Sequence, residues 1–238
     1  MPWRIAPETI VPDAAHELAA LFGTALRTLV VYGSAAGPGF RPEHSDVNLA
    51  AVVEPLEFAQ LQGVAQWWAR WRRHRVAAPL LLSATDLERS RDVFPLELLD
   101  LQARHRTLAG AELFTGLTFT PESVRAECER EAKGKLVRLR ALYLELAGSA
   151  RALRALMLDS RKTFLHVLRG LLYLRGEPWG GDGQAVVKAF EHHFACTLPV
   201  LAMLVGPLAD GPVEQRFGEY VGEVERLAAI ADREAQAP

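Results

Sequence analysis

Hydrophobic residues fall in short runs in the first half of the chain and at helical spacing in the second half. Leu26–Tyr32, Val47–Val53 and Val76–Leu82 are short and rich in Val, Leu and Ala, which is typical of buried strands. Between the second and third runs, Leu56–Arg73 carries apolar residues on one helical face, and this pattern predicts an amphipathic helix. The order strand, turn, strand, helix, strand predicts a unit that mixes helices with a small sheet.

The ends of this first region follow a weaker pattern. Residues 1–11 are predicted to be extended, and Ala14–Phe22 to form a short helix that Gly23 ends. Farther on, His105–Leu108 predicts part of a small edge strand.

From Glu122 onward the apolar residues recur every three or four positions, as in packed helices. Thr120 is the predicted N-cap of the first long helix. The predicted helices cover residues 122–148, 149–175, 184–195, 198–204 and 213–233. The fold class is therefore α+β, with a small mixed-sheet domain over 1–118 and an antiparallel all-α helical bundle over 119–238.

Composition and charge argue against nucleic-acid binding, membrane insertion and secretion. The net charge is −2, so no global basic field favours nucleic acid or a membrane surface. No apolar run approaches the length of about 18 residues that a membrane span needs, and the N-terminus lacks a signal-peptide pattern. Cys128 and Cys196 lie far apart and are predicted to be buried free thiols. These features predict a cytoplasmic protein.

The segment Leu29–Val53 has the clearest chemical pattern. Gly33 follows an apolar run and lets the backbone turn sharply and approach a ligand closely. Ser34 offers a hydroxyl and an N–H to a phosphate. Asp46 begins the next run, from where its carboxylate can hold a divalent cation near the same point. The pattern predicts a corner that handles a nucleotide phosphate and a metal ion.

These residues resemble the signature of the polymerase-beta-like nucleotidyltransferase superfamily, in which Gly-Ser is followed by Asp-x-Asp or Asp-x-Glu between apolar strands. Here Gly33-Ser34, eleven intervening residues and Asp46-Val47-Asn48 match the order and the spacing. The plan of a small domain before a helical bundle is similar to that of aminoglycoside nucleotidyltransferases. The resemblance implies Mg²⁺ as cofactor and a nucleoside triphosphate as substrate. It makes Asp46 a catalytic metal ligand and Gly33 and Ser34 nucleotide-binding residues.

Three features depart from the family pattern. Asn48 stands at the second metal ligand, and a neutral amide cannot bridge two cations as a carboxylate does; it is kept as a nucleotide-binding candidate. The run at 76–83 carries no carboxylate, so Glu97 and Asp100, one helical turn apart, are the candidates to complete the catalytic set. The Gly-Ser turn also lacks the arginine common after it, for which Arg41 is the predicted substitute.

The second long predicted helix is basic. Between Arg151 and Arg175 it carries six basic residues and one acid, Asp159. Such a face can bind a triphosphate or an acidic partner, or can simply be solvated. Arg169 and Arg175 are the predicted nucleotide-binding residues of this helix.

A cluster of tryptophans raises a separate alternative. Trp67, Trp68 and Trp71 lie among four arginines, which is one way to build a stacking surface for nucleic acid. The spacing favours the other interpretation, in which Trp68 and Trp71 pack into the core and the arginines extend outward.

Three functional hypotheses follow. The first is a nucleotidyltransferase-like protein with a degenerate Asp-x-Asn metal site that acts as a nucleotide-binding or regulatory module. The second is an active Mg²⁺-dependent enzyme that transfers a nucleoside monophosphate to a hydroxyl. The third is an antitoxin-like module whose helical bundle pairs with another protein or with a second copy of the chain.

Overall fold

The computed structural model describes residues 7–37, 40, 45–206 and 211–236 of the 238. The chain separates into two compact units, Met1–Arg91 with Asp100–Thr118, and Asp92–Leu99 with Phe119–Pro238. Residues 92–99 thus group with the second unit although they precede residue 118. The domain division at 118/119 stays a prediction.

The first unit contains a four-stranded mixed sheet within the described residues, which confirms the α+β class. Its elements are α1 (Pro7–Phe22), β1 (Leu26–Tyr32), β2 (Asn48–Val53), α2 (Phe58–Trp71), β3 (Leu80–Leu82), α3 (Ala84–Arg89) and β4 (His105–Gly110). Helix α4 (Pro95–Ala103) runs across the division between the units. Helix α1 includes residues 7–11, so the expectation of extended backbone is wrong there, and residues 1–6 lie outside the described residues.

The sheet has the order β3-β2-β1-β4. Strand β1 pairs antiparallel with both β2 and β4, whereas β2 and β3 run parallel. Leu29, Val30 and Val31 in the middle of β1 are fully buried, as the unbroken apolar run predicts. The predicted first strand has the observed bounds, while the predicted third strand is reduced to three residues and an isolated bridge at Val76.

Helices α1 and α2 pack together in the core of this unit, and one tryptophan fixes their contact. Trp67 is 1% exposed, and its indole N–H donates to the carbonyl O of Ala14 at 3.2 Å. Trp68 and Trp71, which were predicted to pack into the core, are partly buried and pack against it, whereas Trp67 is the fully buried one. The indole N–H of Trp68 donates to the carbonyl O of Val76, and that of Trp71 donates to the Glu17 carboxylate.

The second unit is helical. It contains α5 (Pro121–Leu146), α6 (Ala150–Leu174), α7 (Gly183–His193), α8 (Pro199–Val205) and α9 (Val213–Gln236) among the described residues. Thr120 caps α5 by accepting the N–H of Ser123, as predicted, and Ser149 and Asp182 cap α6 and α7 in the same way. These bounds agree with the predicted helices to within a few residues.

Helix α6 packs closely against its neighbours at Gly170. A Cβ added to Gly170 on α6 would overlap the side chains of Leu96 and Cys128, so α6 approaches its neighbours within the space that a methyl group needs. Cys128 is buried, which raises the pKa of its thiol, while Cys196 is only partly buried; both are free thiols. None of the helices in the described ranges has the length and apolar content that a membrane crossing requires.

Candidate functional site

The Gly-Ser turn, the Asp-x-Asn segment and the start of β4 meet at one end of the sheet. Tyr32, the last residue of β1, pairs with Asn48 on one side and with His105 on the other. On the far side of β2, Val47 forms a parallel bridge with Val76. The residues just beyond these pairs therefore surround one corner of the first unit.

Gly33 gives the corner its sharp turn. Its φ is +71°, a left-handed conformation that glycine adopts at low cost, and it opens a single turn of 3₁₀ helix over Gly33–Ala36. Its N–H donates to the carbonyl O of Arg104 at 2.8 Å, so this backbone donor is already used within the protein. Ser34 follows and is partly exposed. Its hydroxyl is one group of the turn that is suited to contact a phosphate.

Asp46 forms an ion pair with Arg75. The Oδ1 of Asp46 lies 3.0 Å from an Nη of Arg75, and the two side chains are 54% and 44% exposed. The Nε of Arg75 also donates to the carbonyl O of Ser45 at 3.0 Å, so the guanidinium contacts both the Asp46 side chain and the backbone just before it. The carboxylate that the resemblance assigns to a metal ion thus has a protein cation beside it.

Asn48 opens β2 and turns its amide back toward the same segment. Its Nδ2 lies 3.5 Å from the carbonyl O of Asp46, which is the outer limit of a hydrogen bond. The same Nδ2 lies 3.5 Å from the place that a Cβ on Gly33 would occupy. Asn48 therefore stands between the Gly-Ser turn and Asp46, and it brings a neutral group there.

The other predicted carboxylates lie on α4. Asp100 is buried, at 6% exposure, and belongs to the first unit. Glu97 is exposed and belongs to the second unit. Their predicted role in completing a catalytic set stays a prediction.

The predicted nucleotide-binding arginines of the second unit have contacts within that unit. Arg169 is 3% exposed, and one Nη donates to the carbonyl O of Gly181 at 3.1 Å, which holds the loop between α6 and α7. Arg175 forms an ion pair with Glu234 on α9. Their nucleotide-binding roles stay predictions, and Arg41 lies outside the described residues.

Among the described residues at the corner, the donor set does not fit two bridged divalent cations. Such a pair, about 4 Å apart, needs several carboxylates that neutralise and bridge the ions. In the described part of the chain, the corner offers Asp46, which is paired with Arg75, and the neutral amide of Asn48. Within the described ranges, no group of three or more His, Cys, Asp or Glu side chains is placed to hold a metal ion.

Two arginines at this corner were not predicted as site residues. Arg75 precedes Val76, so the parallel bridge to Val47 brings it beside Asp46. Arg104 lies at the start of β4, and one of its Nη atoms is 3.9 Å from the place that a Cβ on Gly37 would occupy. The sequence offered one indication of both arginines. Each directly precedes a residue that the sheet brings to this corner, Val76 for Arg75 and His105 for Arg104.

A second polar cluster follows β4 in the first unit. Glu112 accepts hydrogen bonds from the Thr107 hydroxyl, from the Nε2 of His105 and from the N–H of Phe114. Burial raises the pKa of the Glu112 carboxyl, but these hydrogen bonds outweigh it and lower the pKa to about 2. The Nδ1 of His105 faces the carbonyl O of Leu101 at 3.0 Å. This cluster fixes the chain that leaves β4.

Comparison with solved structures identifies the class of fold. The chain has a nucleotidyltransferase-like fold, as the resemblance at Gly33-Ser34 and Asp46 implied. One similar structure is that of spectinomycin adenyltransferase AAD(9) from Enterococcus faecialis with ATP and spectinomycin. It matches with a TM-score of 0.52 and 12% identity, over 92% of this chain and 99% of that chain. No protein-family model and no curated protein matches the sequence.

Proposed function

We propose that this protein is a nucleotide-binding module that keeps the nucleotidyltransferase fold but does not carry out metal-dependent transfer. The observation that carries the proposal is the ion pair of Asp46 with Arg75, next to an asparagine at the second ligand position. A two-metal reaction needs two divalent cations to neutralise the phosphates and the attacking oxygen. Here one carboxylate and one amide stand at the two metal-ligand positions, and the carboxylate already has a counter-ion.

The likeness in fold supports nucleotide binding. The similar adenyltransferase structure contains ATP, and the Gly33-Ser34 turn of this chain opens at the end of β1 beside the Asp46 segment. Gly33 with its positive φ and the partly exposed Ser34 supply a turn that a phosphate can approach. A protein that binds a nucleotide without consuming it can act as a regulatory module, since the ligand then stabilises one state of the protein.

Two measurements test this proposal together. Calorimetric titration with ATP and with UTP measures binding, and release of pyrophosphate from ATP with Mg²⁺ measures transfer. The transfer assay includes a panel of hydroxyl acceptors, among them spectinomycin, which the similar structure contains. We expect heat of binding with at least one nucleotide and no pyrophosphate above the background with any acceptor.

The alternatives predict different results. Release of pyrophosphate that needs Mg²⁺ and disappears in Asp46→Ala identifies an active enzyme and contradicts the proposal. No heat with either nucleotide excludes both nucleotide hypotheses and favours the antitoxin-like interaction module.

A further inference from the structure

We propose that the corner of Ser34, Asp46 and Arg75 binds the phosphates of a nucleotide without a divalent cation, because Arg75 supplies the positive charge there. This inference rests on the proposed nucleotide binding and specifies its chemistry. The ligand is a free nucleotide anion and not its magnesium complex.

The position of Arg75 is the first argument. A metal ion at this corner would lie against the Asp46 carboxylate, and the Arg75 guanidinium lies there at 3.0 Å. Both side chains are about half exposed, so a ligand can reach them from solvent. Guanidinium groups bind phosphate with paired, charge-assisted hydrogen bonds, so an arginine can take the place of a metal cation beside a phosphate.

The backbone at Arg75 is the second argument. Arg75 has φ 60° and ψ 28°, a left-handed conformation that non-glycine residues seldom adopt and that costs free energy. Its carbonyl O accepts the N–H of Val47, and its N–H donates to Arg72. These bonds fix the backbone, so the side chain leaves it in a set direction toward Asp46. A residue kept in an unfavourable conformation beside a candidate site is more common where the site needs that side chain.

The rest of the corner also favours an anion held by side chains. The Gly33 N–H, which a phosphate would otherwise contact, is bound to the carbonyl O of Arg104. The guanidinium of Arg104 lies over the same turn, close to Gly37. Strand β1 lies between β2 and β4 in the sheet, so the Gly33-Ser34 turn that follows β1 has Arg75 on the side of β2 and Arg104 on the side of β4.

The test compares ATP binding in EDTA with ATP binding in Mg²⁺, by calorimetry on the full chain. We expect binding in EDTA to be at least as tight as in Mg²⁺, since Mg²⁺ neutralises part of the phosphate charge that Arg75 recognises. Asp46→Asn should bind ATP as tightly as the wild type or more tightly, because it removes a negative charge beside the phosphates. Arg75→Gln should weaken binding about tenfold or more.

The control is Arg73→Gln, which removes an exposed positive charge two residues before Arg75. The Nε of Arg73 donates to His74 and not to Asp46. It should bind ATP like the wild type. Far-ultraviolet circular dichroism of each variant checks that the fold is kept, and the Asp46→Asn and EDTA results do not depend on Arg75→Gln being stable.

The outcomes separate this inference from the proposed function. Binding that requires Mg²⁺ and is lost in Asp46→Asn overturns the inference and leaves nucleotide binding intact. Equal binding by Arg75→Gln and the wild type also overturns it. Wild-type protein that binds ATP in neither buffer overturns both proposals.

Discussion

Glu223 is the buried carboxylate that caps helix α8, and its replacement should change how stability depends on pH. The residue before α8 is Leu198, whose side chain has no oxygen to accept the first N–H groups of the helix. Glu223 on α9 accepts the N–H of Val200 at 2.6 Å and that of Leu201 at 2.9 Å instead. Its side chain is in the core, at 2% exposure.

The magnitude follows from the pKa of this carboxyl. Burial raises the pKa of Glu223 from 4.5 to about 7, although both backbone hydrogen bonds and Arg226 lower it. A shift of about 2.5 units corresponds to roughly 3 kcal/mol. The unfolded chain loses this proton near pH 4.5 and the folded chain near pH 7. This group therefore lowers the free energy of unfolding as the pH rises through that window, and its full cost is reached above pH 7.

Glu223→Gln removes the titration and keeps one carbonyl acceptor. At pH 4.5 we expect the variant to be less stable by about 1–2 kcal/mol, because one buried N–H then faces an amide NH₂. The difference between wild type and variant should shift by about 3 kcal/mol in favour of the variant by pH 8. Urea unfolding at half-unit intervals of pH measures it, with Glu219→Gln, an exposed glutamate on α9, as the control. Wild-type and Glu223→Gln curves that stay parallel across this range would refute the reasoning.

Four further substitutions test the first unit. Gly110→Ala should destabilise the protein severely, since the φ of Gly110 is +79° and a Cβ would overlap the carbonyl O of Arg27. Gly116 has a similar φ, +75°, but open space around it, so the control Gly116→Ala should lower the free energy of unfolding by only about 1 kcal/mol. Thermal unfolding measures both. Trp67→Ala should lower the free energy of unfolding by about 3–5 kcal/mol in urea, because it empties a buried site; a loss below 1 kcal/mol would contradict its core role. Asn48→Asp should bind Mn²⁺ in calorimetry where the wild type does not, and equal Mn²⁺ binding by both would count against a degenerate site.

Burial and backbone geometry account for the parts of the fold that the sequence predicted well. The run Leu26–Tyr32 has the bounds of β1, and residues 28–32 are buried, so the apolar composition of the run reflects its buried position. The five helices of the second unit were predicted because each has an apolar stripe and most have a local cap, such as Thr120. The left-handed turn at Gly33 was likewise visible as a glycine after an apolar run.

Contacts between distant residues account for what was missed. The sequence pattern does not show that Trp67 is the fully buried tryptophan of α2. Trp67 is buried because α1 packs there, where the indole N–H donates to the carbonyl O of Ala14. The ion pair of Asp46 and Arg75 depends on a parallel bridge across residues that are far apart in the chain. The sequence shows the separate groups, but tertiary packing decides which of them meet.

The same distinction explains how a fold can be kept while the residues of its site change. The turn at Gly33 and the buried strand residues are required by backbone geometry and by burial, so losing them costs stability. Asp46 is more than half exposed, and an exposed ion pair such as that with Arg75 contributes at most about 1 kcal/mol. Asn48 can therefore replace a carboxylate at this edge without harming the fold. A chain with 12% identity to an adenyltransferase can keep its architecture while the charges at the corner change freely. Substitutions of the exposed side chains at this corner therefore test its chemistry with little effect on stability.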